Sequence, residues 1–94
     1  MTEFQVILTE HAINDLGSIS QDQLGRIHSD LITLKSNLFP SAKRIKRLKG
    51  FRPPVYRLRS GNFRVLYNIH GDSVIVLRVI DRKILERVIK RLRL

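Results

Sequence analysis

Apolar residues in this chain change period repeatedly, and each change marks an element. Phe4, Val6 and Leu8 alternate with Glu3, Gln5 and Thr9, apart from an apolar Ile7, which predicts a short strand ending near Thr9. Thr9 is placed to cap a helix running to about Ser18, with Ala12, Ile13, Leu16 and Ile19 on one side. Ser20 to Gln23 has capping-box spacing, and Asp22 complements the positive end of a helix dipole. Leu24, Ile27, Leu31, Leu34 and Leu38 follow at 3-4-3-4 intervals, an apolar stripe that predicts a second helix up to Pro40. Such a stripe also suits a coiled coil, but a short helix beside strands more commonly packs on their sheet.

Residues 41–54 read SAKRIKRLKGFRPP, where Gly50, Pro53 and Pro54 end any helix. Three strands are predicted after it, at about 55–59, 62–69 and 74–80, with turns at Ser60-Gly61 and over His70–Ser73. From Asp81, an N-cap candidate, the pattern is helical again, with Ile84, Leu85, Val88, Ile89 and Leu92 on one face. Arg87, Lys90, Arg91 and Arg93 lie largely on the other. The predicted order is β-α-α-β-β-β-α. This is an α+β domain in which an N-terminal helical hairpin packs on a small, largely antiparallel four-stranded sheet with a C-terminal helix.

Charge changes the picture from fold to function. Residues 1–42 carry two basic side chains, Arg26 and Lys35, against five acids, whereas residues 43–94 carry sixteen against three. A net charge of +10 segregated in this way builds a field over one face and predicts a polyanionic partner. At 94 residues the chain is read as one domain, 1–94. It has no cysteine, hence no disulfide framework or thiolate metal site, which fits a reducing compartment. Neither a leader-like segment nor an apolar run near the ~18 residues of a membrane span is found. A cytoplasmic protein without membrane association is the expectation.

The first C-terminal hairpin holds the candidate chemistry. With a two-residue turn at Ser60-Gly61, Arg59 faces Asn62, Leu58 faces Phe63, and Arg57 faces Arg64. One sheet face then carries Tyr56, Leu58, Phe63, Val65, Tyr67 and Ile69, and the other carries Arg57, Arg59 and Arg64. Like charges directly opposed on a sheet are unfavourable. With so few acids in this half, an anionic ligand is the expected compensation. The run of Lys43, Arg44, Lys46 and Arg47 reads either as a solvated helix end or as a further nucleic-acid contact. His11 and His28 lie on helices of the acidic half and have no expected role.

Leu48-Lys49-Gly50, Tyr56-Arg57-Leu58-Arg59, Gly61-Asn62-Phe63-Arg64-Val65-Leu66-Tyr67 and Arg82-Lys83 together resemble the hairpin and basic segment of the RelE/ParE toxin superfamily. The early β-α-α order agrees, so the resemblance covers nearly the whole chain, with its specific part at 48–83. It implies the toxin of a type II toxin–antitoxin pair: a ribosome-dependent, metal-independent mRNA endonuclease in which a ribose 2′-OH attacks the adjacent phosphate. The alternative it leaves open is a ParE-like inhibitor of DNA gyrase without RNase activity. The implied partners are the ribosome, mRNA and a cognate antitoxin with an acidic helical segment. That segment would either lay carboxylates over Arg57, Arg59 and Arg64 or displace residues 84–92 and dock on Ile75, Leu77 and Val79.

The residues allow this chemistry. No carboxylate cluster suits Mg²⁺, so neither metal nor cofactor is expected. Guanidinium forks match phosphate oxygens, which makes Arg64 and Arg57 the candidates for stabilising the phosphorane. Arginine stays protonated, so base chemistry falls to Lys83, Lys49 or His70, a lysine being helped by the surrounding positive charge. Arg57, Arg64 and Lys83 form the expected catalytic set, and Lys46, Arg47, Lys49, Arg52, Arg59 and Arg82 the expected RNA contacts. Three positions depart from the family pattern: Val55 stands where some members have a second lysine, Asp81 stands where a histidine is common, and only Leu85, Val88 and Ile89 flank Glu86, where several members place an mRNA-stacking tyrosine.

Overall fold

The structure, a computed structural model, describes residues 4–36 and 44–92. Leu38, Pro40 and Lys43, which the sequence places at the second helix end and in the basic run, lie outside the described residues. The chain forms β1 (Gln5–Leu8), α1 (Glu10–Gly17), α2 (Gln21–Thr33), β2 (Ile45–Arg47), β3 (Tyr56–Ser60), β4 (Phe63–His70) and β5 (Ser73–Asp81). A 3-10 turn over Arg82–Ile84 leads into α3 (Leu85–Leu92). The strands lie in the order β1-β5-β4-β3-β2, with β1 parallel to β5 and every other pair antiparallel.

The α+β class and the placing of the helices agree with the sequence pattern, but the sheet has five strands rather than four. The extra one is β2, inside the basic run. Ile45 is buried opposite Leu58, and its neighbours Lys46 and Arg47 pair with Arg57 and Tyr56. A lone apolar residue among cations has no alternation to read, and it is the free edge of β3 that makes the segment a strand.

Two apolar layers hold the sheet. On one face Ala12, Ile27, Leu31 and Leu34 of the helical hairpin pack against Ile45, Leu58, Val65, Tyr67, Val74, Val76 and Val79. On the other, Val88 of α3 closes over Val55, Leu66 and Ile80, with Leu48, Phe51, Leu77, Ile84 and Leu85 around them. Strict alternation along β4 makes this possible, since Val65 and Tyr67 serve the first layer and Leu66 the second. Val79 belongs to the first layer, so the surface under α3 is not the Ile75, Leu77 and Val79 set expected from sequence.

Polar groups fasten the helices to the sheet. Thr9 Oγ1 accepts from the Ala12 N–H at 3.2 Å, as its cap position predicts, while its hydroxyl is 2.8 Å from the Val76 carbonyl. Ser20 precedes α2 but makes no capping bond; its hydroxyl is 3.3 Å from Gln23 Oε1 instead. Along β5 the register shifts, Leu66 facing Arg78 while Tyr67 faces Val76, so the strand bulges. Beside the bulge Arg78 donates to both carboxylate oxygens of Asp15, at 2.7 and 2.9 Å, and Asp15 also accepts from the Val79 N–H at 2.9 Å. The hydrogen bond to Asp15 holds the Arg78 guanidinium above its usual pKa, against the opposing effect of burial.

Removing one partner of a largely desolvated pair leaves the other charge and an amide unsatisfied. Asp15→Ala should therefore lower unfolding stability by about 3 kcal/mol in urea titration. A loss below about 0.5 kcal/mol, the usual range for surface changes, would show that the Asp15–Arg78 pair does not anchor α1.

Candidate functional site

The β3–β4 hairpin closes on Gly61 and Asn62, not on Ser60 and Gly61. Ser60 faces Phe63, Arg59 faces Arg64, Leu58 faces Val65, and Arg57 faces Leu66. Gly61 takes a left-handed φ of 58°, which a two-residue hairpin turn requires and which glycine adopts without strain. The register thus differs by two residues from the expected one. A shift of two preserves the faces, so Arg57, Arg59 and Arg64 still share a side, but Arg59 rather than Arg57 stands across from Arg64.

That pairing is a close one. The Arg59 N–H donates to the Arg44 carbonyl at 2.8 Å, so the Arg59 backbone turns toward β2 and its pair with Arg64 is the type without mutual hydrogen bonds, in which side chains approach more nearly. The end of β5 completes the site. Asp81 pairs with Phe63, Ile80 with Arg64, and the Arg82 N–H donates to the Asn62 carbonyl at 2.9 Å, tying the 3-10 turn to the hairpin tip. Arg64 Nη1 is 3.0 Å from the Gly61 carbonyl and 2.9 Å from that of Phe63, which fixes the guanidinium along the tip.

Four arginines therefore converge. Partial burial first, then the charges of Arg57, Arg59 and Arg82, hold the Arg64 pKa below its usual value, with Asp81 acting in the other direction. The Nε of Arg57 is buried without a hydrogen-bond partner. A buried donor left unpaired carries a desolvation cost that a bound acceptor would relieve. A cluster of like charges of this kind can be compensated by an oxyanion, since guanidinium groups form charge-assisted hydrogen bonds to such oxygens.

The other expected residues divide. Lys46 pairs with Arg57 and extends the same face onto β2. Arg47 pairs with Tyr56 and so turns to the side of the stacked Tyr56 and Tyr67 rings. Lys49 and Arg52 lie in the β2–β3 loop, at the end of β3 away from the tip. His70 closes the opposite end of β4 from Arg64, six residues on and hence about 20 Å away. It is excluded as a base for chemistry at Arg64. Lys83 is exposed one residue beyond Arg82, and its N–H donates to Asp81 Oδ1 at 2.8 Å, which establishes Asp81 as the cap of the 3-10 turn. Of Lys83, Lys49 and His70, only Lys83 adjoins a member of the cluster.

Arg44 is a correction to the basic run. It forms an ion pair with Asp30 at 2.6 Å, and Asp30 also accepts from the Ser60 hydroxyl at 2.6 Å. Asp30 and Ser60 are both buried, so α2 clamps the last residue of β3 from the helical side. The sequence carried a signal for this: Asp30 sits three residues after Ile27 and four before Leu34, on the buried edge of the α2 stripe, where a carboxylate needs partners. Val55, where some members have a second lysine, and Val88, which flanks the departing position Glu86, meet in one apolar cluster under α3. Among the described residues no group of His, Cys, Asp and Glu could hold a metal ion, and no helix is long and apolar enough to cross a membrane.

The chain belongs to the RelE/ParE toxin superfamily. Residues 6–86 match the family described as the ParE toxin of the type II toxin–antitoxin system parDE. RelE1 of Methanocaldococcus jannaschii is 37% identical over 83 residues, spanning 86% of this chain and 91% of that protein. The fold is that of RelE in the archaeal RelE–RelB complex from Pyrococcus horikoshii, with a TM-score of 0.73 and 23% identity over 87% of this chain and 97% of the other. The RelB–RelE complex of Methanococcus jannaschii gives a TM-score of 0.70 at 25% identity over 87% of this chain and 96% of the other. The chain is thus a RelE-like toxin of the type II class.

If Asp81 acts on the fold as a cap, Asp81→Asn should leave thermal stability unchanged, because asparagine caps equally well, while Asp81→Ala should cost about 1 kcal/mol. Equal losses in the two variants would instead assign its stabilising effect to its charge beside Arg64.

Proposed function

We propose that this toxin is a ribosome-dependent, metal-independent mRNA endonuclease. The observation that carries the reading is the guanidinium cluster itself: Arg64 is partly buried among Arg57, Arg59 and Arg82, and the Arg57 Nε lacks a partner. Such a site is electrostatically unfavourable when empty and is stabilised by an anion, the more so as negative charge grows.

In the reaction the ribose 2′-oxygen forms a bond to phosphorus, the bond to the 5′-oxygen breaks, and a 2′,3′-cyclic phosphate remains. The 2′-OH proton passes to water. Arg64, with Arg57 beside it, neutralises the two non-bridging oxygens as the phosphorane develops. Arg64 is held by the Gly61 and Phe63 carbonyls before the substrate arrives, so little reorganisation of its guanidinium is needed at the transition state. Lys83, next to Arg82, gives a proton to the departing 5′-oxygen. Arg59, Arg82 and Lys46 hold neighbouring phosphates on the same face, with Arg47, Lys49 and Arg52 serving more distant stretches of RNA. The gyrase-inhibitor alternative has less support, since the relatives and solved structures named above are RelE toxins.

A cognate antitoxin is the proposed partner, as the solved relatives are RelE–RelB complexes. An acidic helical segment fits this chain in two ways. Carboxylates complement the arginine face, and apolar side chains suit the cleft of about 330 Å³ between Thr9, Leu77, Val88 and Leu92. The work is set in the cytoplasm, where ribosomes and mRNA meet.

Arg64→Ala tests the assignment. Cleavage of mRNA on programmed ribosomes should fall on the order of 10²-fold or more, by analogy with loss of an oxyanion donor, with little change in unfolding stability. A variant that cleaves at the wild-type rate would remove Arg64 from the chemistry.

A further inference from the structure

Arg26 is one of only two cations in the acidic first half of the chain, and the fold carries it to the hairpin tip. It projects from α2 across the Gly61 turn: a Cβ at Gly61 would lie 3.5 Å from Arg26 Cδ and 3.6 Å from its Nε. Because Gly61 has no side chain, nothing of that residue separates the Arg26 stem from the turn.

Its charge is largely uncommitted. The nearest carboxylate is Asp30, but both oxygens of Asp30 are engaged at 2.6 Å, one by Arg44 Nη2 and the other by the Ser60 hydroxyl. Arg26 Nε stands 4.0 Å from that carboxylate, beyond hydrogen-bond reach, and its side chain is 67% exposed. Asp30 therefore neutralises one of two guanidinium groups and leaves a net positive charge on the helical side of the tip. On the other side of the same turn stand Arg59, Arg64 and Arg82, the last tied to Asn62.

We propose that Arg26 is a further RNA-binding residue, which extends the basic face around the hairpin tip and holds a backbone phosphodiester of the bound RNA. The inference rests on the endonuclease reading for the identity of the polyanion. Arg44, bound into the Asp30–Ser60 clamp, keeps a structural role, whereas Arg26 presents an exposed guanidinium beside the turn. The contact is made to phosphate and carries no base preference. Its source is either the substrate strand or ribosomal RNA at the docking site.

The test measures affinity against salt for ribosomes programmed with an mRNA methylated at the 2′-oxygens, which cannot be cut, and for the same methylated RNA free in solution. Loss of one phosphate contact on a single strand should make the slope of log K against log salt shallower by about 0.7. Arg26→Gln should show that change, Arg26→Lys should retain most of the wild-type slope, and Arg87→Gln on exposed α3 should leave it unaltered. A change in both arms places the phosphate in the substrate strand, and a change on ribosomes alone places it in ribosomal RNA; either supports the inference. Equal slopes for Arg26→Gln and wild type in both arms overturn it, as does an equal flattening by Arg87→Gln, which would reflect net charge alone. Failure of wild-type protein to bind either probe would overturn the endonuclease reading with it. Full binding with an unchanged Arg26→Gln slope would leave that reading intact.

Discussion

Arg59 stands directly across from Arg64 at the tip of a two-residue hairpin, and the rest of the structure is arranged to hold them there. Like charges directly opposed on a sheet are unfavourable, and the charge of Arg59 helps to hold the Arg64 pKa below its usual value. Arg57 and Arg82 add to that field. Several interactions work against it. Gly61 closes the turn without strain, Leu58 pairs with Val65, and the Tyr56 and Tyr67 rings stack at a centroid separation of 5.5 Å, a contact of about 1 kcal/mol. From below, Asp30 grips Ser60 and Arg44, and Arg44 Nη2 lies 3.4 Å from the Arg59 carbonyl. The acidic half of the chain thus supplies the anchor that keeps the basic half in an unfavourable but fixed arrangement. A site strained in this way when empty is suited to gain energy from charge that develops only in a transition state.

Much of this was legible before any coordinates. Residue period alone separates Val65 and Tyr67 from Arg64 and Leu66, so the arginine face followed from alternation along β4. The partner of Arg64 did not follow, because Ser60-Gly61 and Gly61-Asn62 are both plausible turns. The choice between them depends on Ser60 being buried against Asp30, a contact between residues thirty positions apart. The same long-range contact recruits Arg44, which the charge run left between a solvated helix end and a nucleic-acid contact. β2 was unreadable for a related reason: with Ile45 as its single apolar residue, it exists because β3 offers an edge. The base candidates were narrowed by strand length, which carries His70 to the far end of β4, and by the β2–β3 loop, which holds Lys49 at the end of β3 away from the tip.

Val55, at one sequence departure, and Val88, two residues from another at Glu86, belong to one structural feature. Both are buried in the layer beneath α3, together with Leu66 and Ile80. A lysine at Val55 would sit where this chain packs aliphatic side chains, whereas Glu86 itself is exposed. Here the arginines at the hairpin tip, with Lys83 beside them, carry the proposed chemistry without those groups. α3 is fastened on this side by apolar contact through Val88 and Leu85, and the Asp81 cap holds the 3-10 turn at its entry.

The most direct measurement is to induce the protein in cells and map the ends of a translated mRNA. Ribosome-dependent attack by the 2′-oxygen predicts breaks that fall within translated codons, end in 2′,3′-cyclic phosphate, and vanish when the start codon of the reporter is removed. Transcripts that stay intact while growth stops, or breaks that persist without translation, would contradict the account.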